Sequence, residues 1–172
     1  IIPARGKKEV IQKLKVSHPK LWDINAPNLY DAHISILDND KIIDTYSQSF
    51  GIRTIHYSVK GFFLNGRKLD LNGGCVHHDN GILGAAAFDR AEFRKVQMMK
   101  SAGFNALRTS HNLPSEAFLE ACDRLGMLVI DEAFDGWREA KTPHDYASLF
   151  DKYWQQDIAV SYTHLTLPTN RE

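Results

Sequence analysis

Arginine, histidine and paired acids recur at three places in this chain where an apolar run stops. His77-His78-Asp79 follows Gly74-Cys75-Val76. Arg108-Thr109-Ser110-His111 follows Phe104-Asn105-Ala106-Leu107, and Asp131-Glu132 follows Met127-Leu128-Val129-Ile130. Every sugar hydroxyl both donates and accepts a hydrogen bond, so a mixture of guanidinium, imidazole and carboxyl groups on rigid strands suits a polyhydroxylated ligand. Each group also has a plainer reading. Arg108 pairs with Asp131 or Glu132 in a salt bridge, His77 and His78 stand on a surface loop, or Glu132 caps a following helix. Three such groups at three successive strand ends favour a site.

The elements that must carry them are alternating strands and helices. The pattern predicts a helix from Asp89, as its cap, through Gly103, with Phe93, Val96 and Met99 on one face. Phe104–Arg108 reads as a short buried strand. Ser115 precedes a second helix with an apolar stripe of Phe118, Leu119, Cys122 and Leu125, and Gly126 is placed to end it. The continuous run Met127–Ile130 predicts a parallel strand buried on both faces. Tyr146–Val160 reads as a further amphipathic helix with Leu149, Tyr153 or Trp154, and Ile158 inward. Strand–helix–strand–helix–strand of this kind opens a (β/α) barrel, whose working face lies at the C-terminal ends of its strands.

Before Tyr57 the period is two rather than 3.6. Val10–Val16 and Ala32–Leu37 alternate apolar and polar residues, Asp38-Asn39-Asp40 supplies a turn, and Lys41–Tyr46 continues in β-favouring residues. Ser49–Ile55 reads as a last strand. Asn65-Gly66 between apolar runs signals a hairpin. The expected architecture is therefore multidomain β plus α/β. Residues 1–56 form the C-terminal part of an immunoglobulin-like β-sandwich, and residues 57–160 the first third of a (β/α)8 TIM barrel. A closed barrel takes about 250 residues and this chain has 172, opening on Ile1-Ile2-Pro3 without Met, so an interior fragment is expected.

Composition narrows the function classes. Lys plus Arg, at 21, equals Asp plus Glu, at 21, which favours neither nucleic acid nor an anionic membrane as a partner. No apolar run approaches the roughly 18–20 residues of a membrane span. Cys75 and Cys122 read as small buried thiols, with a disulfide or a nucleophile as rival readings. Nothing here selects a cellular compartment.

The same residues carry a resemblance. Asn105–His111, followed by Cys122-Asp123-Arg124-Leu125-Gly126-Met127-Leu128-Val129-Ile130-Asp131-Glu132-Ala133, resembles the signature of family 2 glycoside hydrolases of the β-galactosidase type. That signature is an Asn-x-apolar-Arg-small-small-His block, then Asp-x-x-Gly and four apolar residues before Asp-Glu. Gly51-Ile52-Arg53, Phe63–Arg67 and Gly74–Asp79 resemble the family's sandwich-to-barrel junction, hairpin and first barrel strand. Leu21-Trp22 and Pro27–Tyr30 resemble its central sandwich. His111-Asn112-Leu113-Pro114 departs from the His-Tyr-Pro of many members and looks closer to a gut-bacterial branch, in which Asp135-Gly136-Trp137 resembles an aromatic-bearing loop.

What the resemblance implies is a retaining β-glycosidase in carbohydrate catabolism, with β-galactosidase first and β-glucuronidase or β-mannosidase as alternatives. Its substrate would be an oligosaccharide or β-galactoside, and the full-length enzyme is compatible with a homo-oligomer. His78, Arg108, His111, Asp131 and Glu132 would shape the sugar subsite. Trp137 would stack on a sugar ring or pack within its own loop. Retaining enzymes use two carboxyl groups ~5–5.5 Å apart, one as acid/base and one as nucleophile. In the family these end the fourth and seventh strands, so no catalytic residue is expected in this stretch. Ser161–Glu172 does not fit the family pattern and resembles a translated adapter tail, so Asn170 and Glu172 are not the catalytic pair. Magnesium-binding relatives carry a His where Phe134 stands, which argues against Mg²⁺; no other cofactor or metal is implied. Two readings of other classes remain. A metal-dependent hydrolase would use His77, His78 and His111 with Glu132, but these lack the local spacing of a zinc site. A non-catalytic carbohydrate-binding or interaction module would need no chemistry at all.

Overall fold

The computed structural model describes residue 6 and residues 8–165. Among the described residues four small sheets, three α-helices and one 3₁₀ turn (Gly81–Leu83) follow one another. β1 (Trp22–Asp23) and β2 (Ala26–Pro27) form a short antiparallel clip, and β3 (Tyr30–Asp38) and β4 (Lys41–Phe50) form a long antiparallel ribbon. Asn39 and Asp40 close that ribbon with φ of 46° and 63°, the left-handed pair a tight hairpin needs. β5 (Ile55–Ser58), β6 (Gly61–Leu64) and β7 (Arg67–Leu69) make an antiparallel meander. The expected Asn65-Gly66 turn sits between β6 and β7, with φ of 51° and 76°.

The remainder is strand and helix in alternation: β8 (Gly73–Val76), α1 (Asp89–Ser101), β9 (Ala106–Thr109), α2 (Glu116–Leu125), β10 (Leu128–Ile130) and α3 (Ala147–Leu165). The sheet runs β8–β9–β10 with β9 central, and both pairings are parallel. Val96 of α1 and Phe118, Ala121 and Cys122 of α2 pack with Leu107 and Met127 into one buried cluster. Ser115 caps α2 by accepting a hydrogen bond from the Phe118 amide, as the sequence predicts. Among the described residues no helix is long and apolar enough to cross a membrane.

A second cluster joins the antiparallel part to the parallel sheet. Trp22 is 1% exposed and packs with Leu64, Ala106 and Leu128, so β1 lies against the N-terminal ends of β9 and β10. Its indole N–H donates to the Asp123 carbonyl at 2.8 Å. Lys100 reaches from the end of α1 to donate to the carbonyls of Ile24 (2.7 Å) and Gly126 (2.9 Å).

Gly126 ends α2 in the left-handed conformation, φ 72°, and a Cβ there would lie 2.4 Å from the Ile24 carbonyl oxygen. Gly126→Ala therefore meets both backbone strain and a collision with backbone, and is expected to cost well over about 1 kcal/mol. Gly66→Ala, at φ 76° with nothing within 4 Å, meets the strain alone. Urea unfolding of the two variants separates the terms, and equal losses would contradict the collision.

Several sequence expectations are corrected. Val10–Val16 is no strand; Val10, Ile11 and Leu14 are 67%, 77% and 88% exposed, and no neighbouring strand takes up their backbone groups among the described residues. Ser49–Ile55 is not one strand, because β4 ends at Phe50 and β5 starts at Ile55. Phe88, not Asp89, is the α1 cap residue; Asp89 stands in the first turn, where its charge suits the helix dipole. Among the described side chains of α3 Phe150 is buried and Tyr153 and Trp154 are half-buried, while Leu149 and Ile158 are exposed. Ile130 is 58% exposed because β10 has a neighbour only on its β9 side. Cys75 is exposed and Cys122 buried, both as free thiols. α3 continues to Leu165, into the stretch expected to be a tail, and residues 166–172 of that stretch lie outside the described residues.

Candidate sugar-binding rim

Because β8, β9 and β10 run parallel in the registers Val76–Thr109 and Arg108–Ile130, their C-terminal ends open on the same side. Arg108 and Glu132 meet there: Arg108 Nη2 donates to Glu132 Oε1 at 2.8 Å. His111 Nδ1 lies 3.2 Å from Glu132 Oε2 and 3.4 Å from Asp135 Oδ1. Lys141 Nζ closes the series at 2.7 Å from the same Asp135 oxygen. Basic and acidic side chains thus alternate from β9 to the loop after β10, and the salt-bridge reading of Arg108 holds with Glu132 as the partner. At the other end Arg108 Nη1 donates to Cys75 Sγ at 3.5 Å.

Thr109, 3% exposed, fixes the two acids from beneath. Its hydroxyl donates to Asp131 Oδ1 and accepts from the Glu132 amide, both at 3.1 Å. One side chain therefore sets the height of the two residues that follow the neighbouring strand. The peptide bond between Ser110 and His111 is cis.

The carboxyl groups are displaced from their ordinary pKa in different directions. Desolvation raises the Glu132 carboxyl, but hydrogen bonds from Arg108 and His111 outweigh it and hold it below the ordinary range. Asp135 is lowered too, first by its hydrogen bond from Lys141. A carboxyl that stays ionised is a poor general acid at neutral pH, so neither suits protonation of a leaving group. Asp131 is displaced the other way: although the residue is exposed as a whole, desolvation of its carboxyl outweighs the Thr109 hydrogen bond.

His77 and His78 take different places. The His77 ring meets His111 edge to face, centroids 5.7 Å apart, and so joins the rim. His78 borders a cleft between the β8 end and the first turns of α1 and α2, lined also by His77, Glu92, Lys95, Asn112 and Phe118. Arg108 and Glu132 are not among its walls. That cleft is shallow and open to solvent, and encloses far less than the roughly 300–1,000 Å³ usual for ligand pockets.

Trp137 is 66% exposed and lays one face on Phe150, centroids 6.1 Å apart and nearly coplanar. Phe150 stacks in turn with Trp154, and Phe134 stacks on Tyr146. The packing reading of Trp137 is thus met on one face, and the exposed area leaves the indole open to a ligand. Magnesium requires several oxygen ligands. Phe134 has none to offer and is packed among rings, and the Glu132 oxygens are met by Arg108 and His111. Phe134 itself therefore does not fit as a ligand of that ion, and among the described residues no group of three or more His, Cys, Asp or Glu is placed to hold a metal.

Sequence reasoning passes over Thr109, Asp135 and Lys141. Asp135 stands two residues before the singled-out Trp137, but nothing in the spacing says that Lys141 folds back on it.

Comparison with known proteins shows the family and the fold. The family model described as glycosyl hydrolases family 2 matches residues 2–53, and that of the family's TIM barrel domain matches residues 55–143. Beta-galactosidase BoGH2A of Bacteroides ovatus is 46% identical over 158 residues, 90% of this chain and 19% of that protein. A putative beta-glucuronidase of Formosa agariphila is 43% identical over 148 residues, 85% of this chain and 14% of that protein. The crystal structure of a family 2 member from Bacteroides cellulosilyticus superposes with a TM-score of 0.81 at 55% identity, covering 86% of this chain and 19% of that one. The chain spans about a fifth or less of the length of these relatives. It belongs to glycosyl hydrolase family 2, and its fold is the family's sandwich passing into the opening of a TIM barrel.

Proposed function

We propose that this chain supplies part of the sugar subsite of a retaining β-glycosidase acting on β-galactosides in carbohydrate catabolism. The observation that carries the reading is the Arg108–Glu132–His111 cluster at the ends of adjacent parallel strands. It offers fixed donors from two residues and acceptors from a third, as vicinal hydroxyls require. Asp131 would add an acceptor or donor from the same loop, and the free face of Trp137 a platform for a ring. His78 would serve from the neighbouring cleft. No described residue is assigned the bond-breaking step, because the family resemblance puts both reacting carboxyl groups at the ends of the fourth and seventh barrel strands. The lowered carboxyls of Glu132 and Asp135 speak only against a general-acid role.

Calorimetric titration of the 172-residue chain with methyl β-D-galactoside tests this reading. Binding is expected, and Arg108→Ala should abolish it. Nitrophenyl β-galactoside should not be hydrolysed. Turnover that survives Glu132→Ala would mean the chemistry lies elsewhere, and an absence of galactoside binding would overturn the subsite. The 43% identity to a putative beta-glucuronidase supports a second reading, in which methyl β-D-glucuronide binds more tightly than the galactoside in the same titration.

A further inference from the structure

Glu92 is a charged residue in the middle of a packed interface. It lies in α1, 4% exposed, beside the apolar cluster of Val96 and Phe118. A buried carboxylate persists where its oxygens are occupied, and both are. Glu92 Oε1 accepts from Asn80 Nδ2 at 2.8 Å, and Glu92 Oε2 pairs with Lys95 Nζ at 3.4 Å. Neither partner stops there. Asn80 Nδ2 also donates to the Ala86 carbonyl at 3.1 Å, and the Asn80 amide donates to the Gly84 carbonyl at 2.8 Å. Lys95 Nζ donates to the carbonyl of His77 at 3.3 Å. The whole connection between β8 and α1 is thereby tied at both ends to one carboxylate.

That connection carries His77 and His78. His77 meets His111, which in turn contacts Glu132. A path of direct contacts therefore runs from the helix interior to the rim. We infer that Glu92 is a positioning residue: through Lys95 and Asn80 it fixes the segment 77–86, and with it the two histidines presented to a sugar. The sugar-facing role of those histidines rests on the proposed function; the tether does not.

Hydrogen exchange read by mass spectrometry on the 172-residue chain decides the matter. The segment 77–86 has internal hydrogen bonds to report, among them Asn80 to Gly84 and Gly84 to Gly81. Glu92→Gln keeps the shape and removes the charge. Exchange over 77–86 is expected to rise about tenfold or more, as for loss of a charged hydrogen bond, with α2 and β9 unchanged. Lys95→Met should raise exchange at the His77 end alone. If Glu92→Gln does not fold, the Lys95→Met result stands in its place. Unchanged exchange over 77–86, or an equal rise across α1 and α2, would overturn the tether. In parallel, Glu92→Gln should weaken methyl β-D-galactoside binding several-fold without a matching fall in melting temperature. Should the wild-type chain bind no galactoside, the sugar reading fails, and the exchange data still judge Glu92.

Discussion

Trp22→Ala is expected to abolish most of the cooperative unfolding transition of the chain. The indole is 1% exposed and is the largest fully buried side chain. Truncating a buried aromatic residue to alanine costs about 3–5 kcal/mol. A domain of ordinary stability has only about 5–15 kcal/mol in total. The loss falls at a joint, because Trp22 contacts Leu64 of the meander and Ala106 and Leu128 of the parallel sheet together. Arg53 lies over the same ring at 4.6 Å, and the Trp22 main chain bonds to Ile52 and to the Asn65 amide. Trp22→Phe retains a ring and loses the bond to Asp123, so its cost should be nearer 1 kcal/mol, about that of one hydrogen bond. Urea unfolding followed by circular dichroism checks both. A Trp22→Ala protein within about 1 kcal/mol of wild type would show that the two parts hold together without this side chain.

Glu132→Gln should reduce methyl β-D-galactoside binding by about tenfold or more, the usual effect of losing charge-assisted hydrogen bonds. The amide keeps one oxygen for Arg108 but turns toward His111 a group that no longer carries charge. Acid should reproduce the variant. A carboxyl whose pKa is held below the ordinary 4.5 contributes fully above that value, and its contribution is lost as the pH falls through the lowered folded value. Wild-type affinity should therefore fall toward that of Glu132→Gln below about pH 4.5, while the variant shows no corresponding step. A wild-type profile parallel to the variant's through that range would remove Glu132 from the site.

The local signals in the sequence were strong where a short stretch settles its own conformation. Asn65-Gly66 demands positive φ at two positions, and the hairpin is there. Ser115 and Gly126 bracket α2 because a hydroxyl satisfies an orphan amide and a glycine tolerates the left-handed end. The same reasoning failed at Val10–Val16, where alternation alone cannot supply a partner strand, and at Leu149 and Ile158, where the buried face of α3 is set by Phe134 and Trp137 packing on Phe150. Period says that a face exists; the neighbours decide which residue fills it.

The sequence by itself determined that Arg108, His111, Asp131 and Glu132 end adjacent strands, because apolar runs separated by helix-length segments pair in parallel and leave their polar followers on one side. Only the tertiary structure decided that Glu132 rather than Asp131 receives Arg108, that Thr109 holds both acids, and that His77 rather than His78 reaches His111. Those choices depend on a stagger of a single residue between strands and on where loops return. Both are fixed by contacts between residues far apart in the chain, which no local pattern encodes.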